Sequence, residues 1–101
     1  MNITRKTTKS GTSLSIEGEL TIYSVNQAKQ ELLQDYTGFS DQVALDLHKV
    51  SELDTAGIQL LLFLQKFLQS LNKKLHLVKS NEQVDETLAV LDIAGHFTLE
   101  N

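Results

Sequence analysis

The chain predicts an α/β fold on a mixed sheet, and three observations point there. Two alternating segments flank a turn at the N-terminus, a nearly continuous apolar strand follows in mid-chain, and amphipathic stretches alternate with strands after it. Ile3 to Thr8 and Thr12 to Leu20 alternate in the β manner around Lys9-Ser10-Gly11, which predicts an N-terminal hairpin with Leu14, Ile16 and Gly18 on one face. Ser24 followed by Gln27 reads as a capping box, and Val25, Ala28, Leu32 and Tyr36 keep helical spacing up to a stop at Gly38. Gln42 to Leu47 holds Val43, Ala44, Leu45 and Leu47, as expected of a central strand covered on both faces.

A second helix is predicted from about Thr55 to Leu71. At about 100° per residue, Leu60, Leu64, Phe67, Leu68 and Leu71 share a broad face, with Lys66, Gln69, Ser70 and Lys73 roughly opposite. Leu62 falls near the polar face, with Ile58 at its flank and Gln59 beside it. That position suits either a stray surface residue or part of a docking surface. Lys74 to Lys79 supplies another strand. Ser80 with Gln83 suggests a second capping box for a helix striped by Val84, Leu88 and Leu91 and ending near Gly95, and His96 to Leu99 is an edge strand or a tail. The alternation calls for parallel central strands joined by right-handed crossovers. With 101 residues, the expectation is one domain over 1-101.

Composition narrows the function. Nine basic residues against thirteen acidic ones give a formal charge of −4, with no Lys/Arg block and few aromatics to stack bases, so nucleic acid is not an expected ligand. The absence of Cys removes disulfides, thiolate metal sites and Cys nucleophiles, and suits a reducing compartment. The opening residues lack the apolar run of a signal peptide, and the apolar block Leu60 to Leu64 is too short to insert in a membrane. A cytoplasmic location is expected. His48, His76 and His96 have no metal-ligand spacing, His76 is expected to face solvent, and no phosphate-cradling Gly-rich motif occurs, so neither metal nor cofactor is expected. Asp46, Glu52 and Asp54 form an acidic set at the end of the central strand, where α/β sheets place sites, but no Lys or Arg lies between Val50 and Gln65 to hold an anion. An enzyme is not expected.

The informative segment is Val50 to Leu60, V-S-E-L-D-T-A-G-I-Q-L, which closes a strand and opens a helix. Asp54 and Thr55 place a carboxylate and a hydroxyl beside backbone N–H groups that have no intrahelical partner, a position able to hold or receive a phosphate. A plain structural role is available to each residue: Asp54 or Thr55 as an N-cap worth about 1 kcal/mol, and Gly57 as backbone passing close to the preceding strand. The functional expectation is a partner surface formed by the loop Ser51 to Gly57 and the first two helical turns. Its members are Glu52, Asp54, Thr55, Ala56, Gly57, Ile58, Gln59 and Leu62, with Thr55 central and Ile58 and Leu62 as apolar anchors.

Three segments in this order resemble a STAS domain: Ile16-Glu17-Gly18-Glu19-Leu20, then Leu45 to Val50 running into Leu53-Asp54-Thr55-Ala56-Gly57-Ile58, then Leu91-Asp92-Ile93-Ala94-Gly95-His96-Phe97. The resemblance implies a mixed four- to five-stranded sheet with an N-terminal hairpin and helices mainly on one side. It also implies a small non-enzymatic binding module; a monomer or weak dimer is expected. In the anti-sigma factor antagonists of this family the signature resembles D-S-S-G, and its second Ser is phosphorylated by a partner that is both kinase and anti-sigma factor. That Ser falls on Ala56, which has no hydroxyl; the first falls on Thr55, the candidate phosphorylation site. The family's G-E-L-D is Gly18-Glu19-Leu20-Thr21 here, so an Asp associated with a kinase-type partner is missing. Asp54-Thr55-Ala56-Gly57 is also similar to the STAS subunit of the Mla phospholipid ABC transporter, whose partner is an ATPase, and to STAS proteins of chemosensory systems. The signature does not separate these settings; the leading expectation is an antagonist-like signalling module switched by phosphorylation at Thr55, with the transporter subunit and the chemosensory protein as alternatives.

Overall fold

The computed structural model describes residues 1–90 and 98–99. Its elements are β1 (Asn2–Thr8), β2 (Gly11–Leu20), α1 (Val25–Leu33), a 3-10 turn (Tyr36–Gly38), β3 (Gln42–Leu53), α2 (Thr55–Ser70), β4 (Lys74–Lys79), α3 (Glu82–Val90) and β5 (Thr98–Leu99). The strands lie side by side in chain order; β1 runs antiparallel to β2 and every later pairing is parallel. When consecutive parallel strands are also neighbours, crossovers of one hand place each connecting helix on the same side of the sheet.

Burial follows that arrangement. Leu14, Ile16 and Leu20 of β2, Val43, Leu45, Leu47, Val50 and Leu53 of β3, and Leu75 and Leu77 of β4 join Ala28, Leu32, Val84, Leu88 and the α2 residues in one core. Their alternates Ser13, Ser15, Ala44, Asp46, His76 and Val78 are exposed or half-buried. The mid-chain strand is thus covered by described helices on one face, not both, because Ala44 breaks its apolar run on the open side. His76, expected to face solvent, is half-buried there, with its Nε2 2.6 Å from Gln42 Oε1.

Helix α2 is held by Gly57, Ile58, Leu60, Leu61, Leu64 and Leu68. Each large apolar side chain so buried contributes about 1.5–3 kcal/mol, which far exceeds propensity differences. Asn72 at φ 61° then ends the helix, its N–H reaching Gln69 O while Lys73 N–H reaches Leu68 O.

Several boundaries differ from the sequence reading. Helix α1 stops at Leu33 instead of running to Gly38, because Asp35 turns left-handed at φ 50° and Tyr36–Gly38 winds as a 3-10 turn. Arg5 seals that corner by donating to the carbonyls of Gln34 and Asp35 and lying over the Phe39 ring. Strand β3 extends to Leu53, past the expected Leu47. The extension is bulged: Leu47 and His48 together face Ile16, and Ser51 is a second extra residue. The third helix starts at Glu82 under an Asn81 cap, its side-chain oxygen accepting from Val84 N at 2.8 Å, while Ser80 Oγ donates to Asp85. The expected continuation of that helix to Gly95, and the segment Leu91 to Phe97, lie outside the described residues; Thr98 and Leu99 pair with His76 and Leu77.

Candidate functional site

Parallel pairing of β2 and β3 brings their C-terminal ends together, with Glu19 beside Glu52 and Leu20 beside Leu53. From Leu20 the chain turns into α1, and from Leu53 it enters α2. Two loops therefore meet at one end of the sheet, the usual place for a site in such folds.

Asp54 joins them. As the α2 N-cap, it accepts from Gly57 N through Oδ1 at 3.0 Å and from Ile22 N through Oδ2 at 2.9 Å. The Gly57 N–H and then the Ile22 N–H hold its carboxyl below the usual aspartate range, so it stays ionised. The N-cap role expected for Asp54 is present, and its second oxygen does further work on the neighbouring loop.

Gly57 is required by contact. A Cβ there would lie 2.3 Å from Leu20 O and 2.8 Å from Leu53 Cδ1. The close approach is chiefly to the end of β2, and it seats the first turn of α2 directly on the sheet. That seating carries Ile58 inward, to 3% exposure. Ile58 is thus a core residue supporting the site, not the surface anchor expected, and Gly57 is buried beside it. Leu62 is half-buried and packs against the core.

What reaches solvent is Glu52, Thr55 and Gln59, with Ala56 half-buried between them. The Thr55 side chain hydrogen-bonds no described residue. The segment Ser51 to Leu53, expected as loop, belongs to β3. Asp46 lies back along that strand, bonded through Oδ1 to the His48 N–H and ring Nδ1, each at 2.9 Å. Partial burial works against its charge, but the His48 N–H, the His48 ring and Lys79 outweigh that and hold its carboxyl low. The acidic set Asp46, Glu52 and Asp54 does not converge: among the described residues no three His, Asp or Glu side chains are placed to hold a metal ion.

Sequence reasoning missed the neighbouring turn. Ile22 is 61% exposed and Tyr23 95%. Their backbone is nevertheless fixed: Ile22 N is held by Asp54, Tyr23 N reaches Thr21 Oγ1 at 3.3 Å, and Ser24 N and Val25 N both reach Thr21 O at 2.9 Å. Ser24 Oγ accepts from Thr21 N and donates to Glu19 O, so it serves the turn and makes no cap bond to α1. Two large apolar side chains are therefore presented on a hydrogen-bonded turn. The available signal was their position between the strand end Leu20 and the polar Ser24, with no helical or strand face to bury them. On the other side, Val25, Asn26, Lys29, Ala56, Gln59 and Phe63 line a groove of about 220 Å³, with Lys29 Nζ 4.5 Å from the Phe63 ring centroid.

The STAS family profile described as "Mlab, STAS domain" matches residues 3–100. The chain belongs to the STAS family. Its fold is that of solved anti-sigma factor antagonists: one from Mycobacterium paratuberculosis, at TM-score 0.84 and 14% identity, matched over 98% of this chain and 84% of that one. The putative antagonist TM1081 from Thermotoga maritima gives 0.82 at 17% identity over 98% and 86%. Unphosphorylated SpoIIAA gives 0.77 at 14% identity over 99% and 89%, and the phosphorylated Bacillus SpoIIAA 0.71 at 14% over 99% and 92%. Comparison of the sequence with curated proteins finds no match. Among the described residues of this STAS domain, no helix is long and apolar enough to cross a membrane.

Proposed function

We propose that this STAS domain is a non-enzymatic binding module in an antagonist-like signalling pathway, docking a protein partner on the face around the start of α2. Exposed Thr55 at that helix start, next in sequence to Asp54, which holds the Ile22–Tyr23 turn, and to Ala56, which lines the α1–α2 groove, is the observation that carries the reading. Glu52, Thr55, Ala56 and Gln59 contact the partner; Asp54, Gly57 and Ile58 hold those residues in place; Leu62 backs the helix.

Thr55 is the proposed point of control. A phosphate there adds about −1.5 to −2 charge. Asp54 already takes the Gly57 N–H, so the phosphate competes with an ionised carboxylate for the helix start, with Glu52 and Glu19 close by. Desolvating that cluster under a partner at a penalty of roughly 3 kcal/mol weakens binding by about two orders of magnitude. The second reading is a constitutive subunit contacting an ABC ATPase; it is favoured by Ala56 at the usual phosphorylated position and by the family description.

The test is capture from the native host with tagged wild type and Thr55→Ala, mass spectrometry of bait and prey, and calorimetry with the partner found. A kinase-type or chemosensory partner, with Thr55→Glu binding about a hundredfold more weakly than wild type, supports the switch. An ATPase partner bound equally by wild type and Thr55→Glu selects the transporter reading.

A further inference from the structure

Strand β3 outlasts β4. Its pairing with β4 ends at Asp46–Lys79, yet it continues to Leu53 beside β2 and carries two bulges on the way. Carbonyls on its β4 side are left without a ladder there, and unsatisfied backbone groups in a partly buried position are costly. Asn81 meets that need. Its Nδ2 donates to Val50 O at 2.8 Å and His48 O at 3.0 Å, with Leu47 O at 3.4 Å, while its Oδ1 caps Val84 N. Asp46 takes the bulge N–H of His48, so the irregular turn of β3 is fastened through both its donors and its acceptors.

We infer that Asn81 is a positioning residue for the docking face: by fastening the first turn of α3 to the bulged end of β3, its side-chain amide fixes the direction in which β3 delivers Asp54 and Thr55. Val50, the closest of its acceptors, stands four residues before Asp54, and both Val50 and Leu53 are buried in the core while Ser51 and Glu52 are exposed. A small rotation at the bulge is carried along this short segment, held in the core at Val50 and Leu53, to the Asp54 carboxylate, which must reach Ile22 N and Gly57 N together. The functional consequence rests on the docking reading above, whereas the clamp itself is read in the free protein.

Asn81→Ser separates the two jobs of the side chain, because Ser caps α3 but its shorter side chain, with a single O–H, does not span the β3 carbonyls that the Asn81 amide reaches. The control is Leu88→Ala, which weakens α3 packing and leaves Asn81 in place. Two readouts are followed by NMR on each full chain: amide exchange from Leu53 to Gly57, and the titration of the Asp54 carboxyl. Asn81→Ser is expected to speed exchange there by about tenfold over its effect on Leu14 and Leu45, and to move the Asp54 midpoint up toward the ordinary aspartate value. Leu88→Ala is expected to leave that midpoint in place. An unmoved midpoint in Asn81→Ser, or an equal shift in Leu88→Ala, overturns the inference. Should the midpoint shift while Thr55 variants leave partner capture untouched, the clamp stands and the docking reading falls.

Discussion

The starts of α1 and α2 carry the same cue in sequence, a small polar residue ahead of an apolar stripe, and the fold uses the two in opposite directions. Ser24 turns backward and ties its own turn, bonding Thr21 and Glu19 only a few residues away. Asp54 reaches forward to Gly57 and sideways to Ile22 in another loop, so one carboxylate serves its helix and aligns its neighbour. A capping side chain goes where unsatisfied N–H groups are concentrated, and only at α2 do two sources of them meet.

The largest expected effect sharpens why the two starts differ. Gly57→Ala pushes a Cβ against the Leu20 carbonyl, a backbone atom that cannot swing away. It should cost about 3 kcal/mol or more in urea unfolding and displace the Ile22–Tyr23 amide resonances, whereas a cost below 1 kcal/mol would mean that the α2 start is not seated as described.

Asp54→Asn tests the sideways bond. Its isosteric amide still caps but offers an NH₂ to one of two N–H donors, at a cost of about 1–2 kcal/mol at neutral pH. The sign with pH follows from the lowered carboxyl: the stabilisation is complete above the unfolded aspartate value near 4 and is lost as pH falls through the lower folded value. The difference between wild type and Asp54→Asn should therefore be flat above about pH 5 and shrink below about pH 4. A gap independent of pH would assign the effect to packing.

Ser24→Ala should have the smallest effect, about 0.5–1 kcal/mol, confined to exchange at Thr21 to Val25. Spread of that effect to Gly57 would mean that the two starts are coupled more tightly than the Asp54 bonds to Ile22 and Leu20 require.

Much of this architecture was legible because local signals agreed. The hairpin turn, the α2 cap and the apolar spacing of Leu60, Leu64 and Leu68 each match what the structure contains. The end of β3 was not legible, since the apolar phase steps from Leu47 to Val50 to Leu53 and a period of three erases the strand pattern that bulges preserve in space. Asn81 escaped notice for a related reason: Ser80 and Gln83 offered a familiar local motif, while the β3 carbonyls that Asn81 binds lie more than thirty residues away. Ile58 was misplaced because helical spacing gives relative angles but not how closely a helix start sits on a sheet; the Gly57 contact decides that. Ile22 and Tyr23 are conspicuous only once their turn is known to project from the sheet end.

The Asp54–Ile22 bond joins residues 32 apart in sequence, across the whole β2–α1–β3 crossover. Closing a loop of that length costs entropy that a single hydrogen bond cannot offset alone, so the bond forms only with the packing around it. A synthetic peptide spanning Leu45 to Leu62 would carry every residue of the signature and still lack the Ile22–Tyr23 turn that Asp54 holds, and on the docking proposal it should compete poorly with the intact domain.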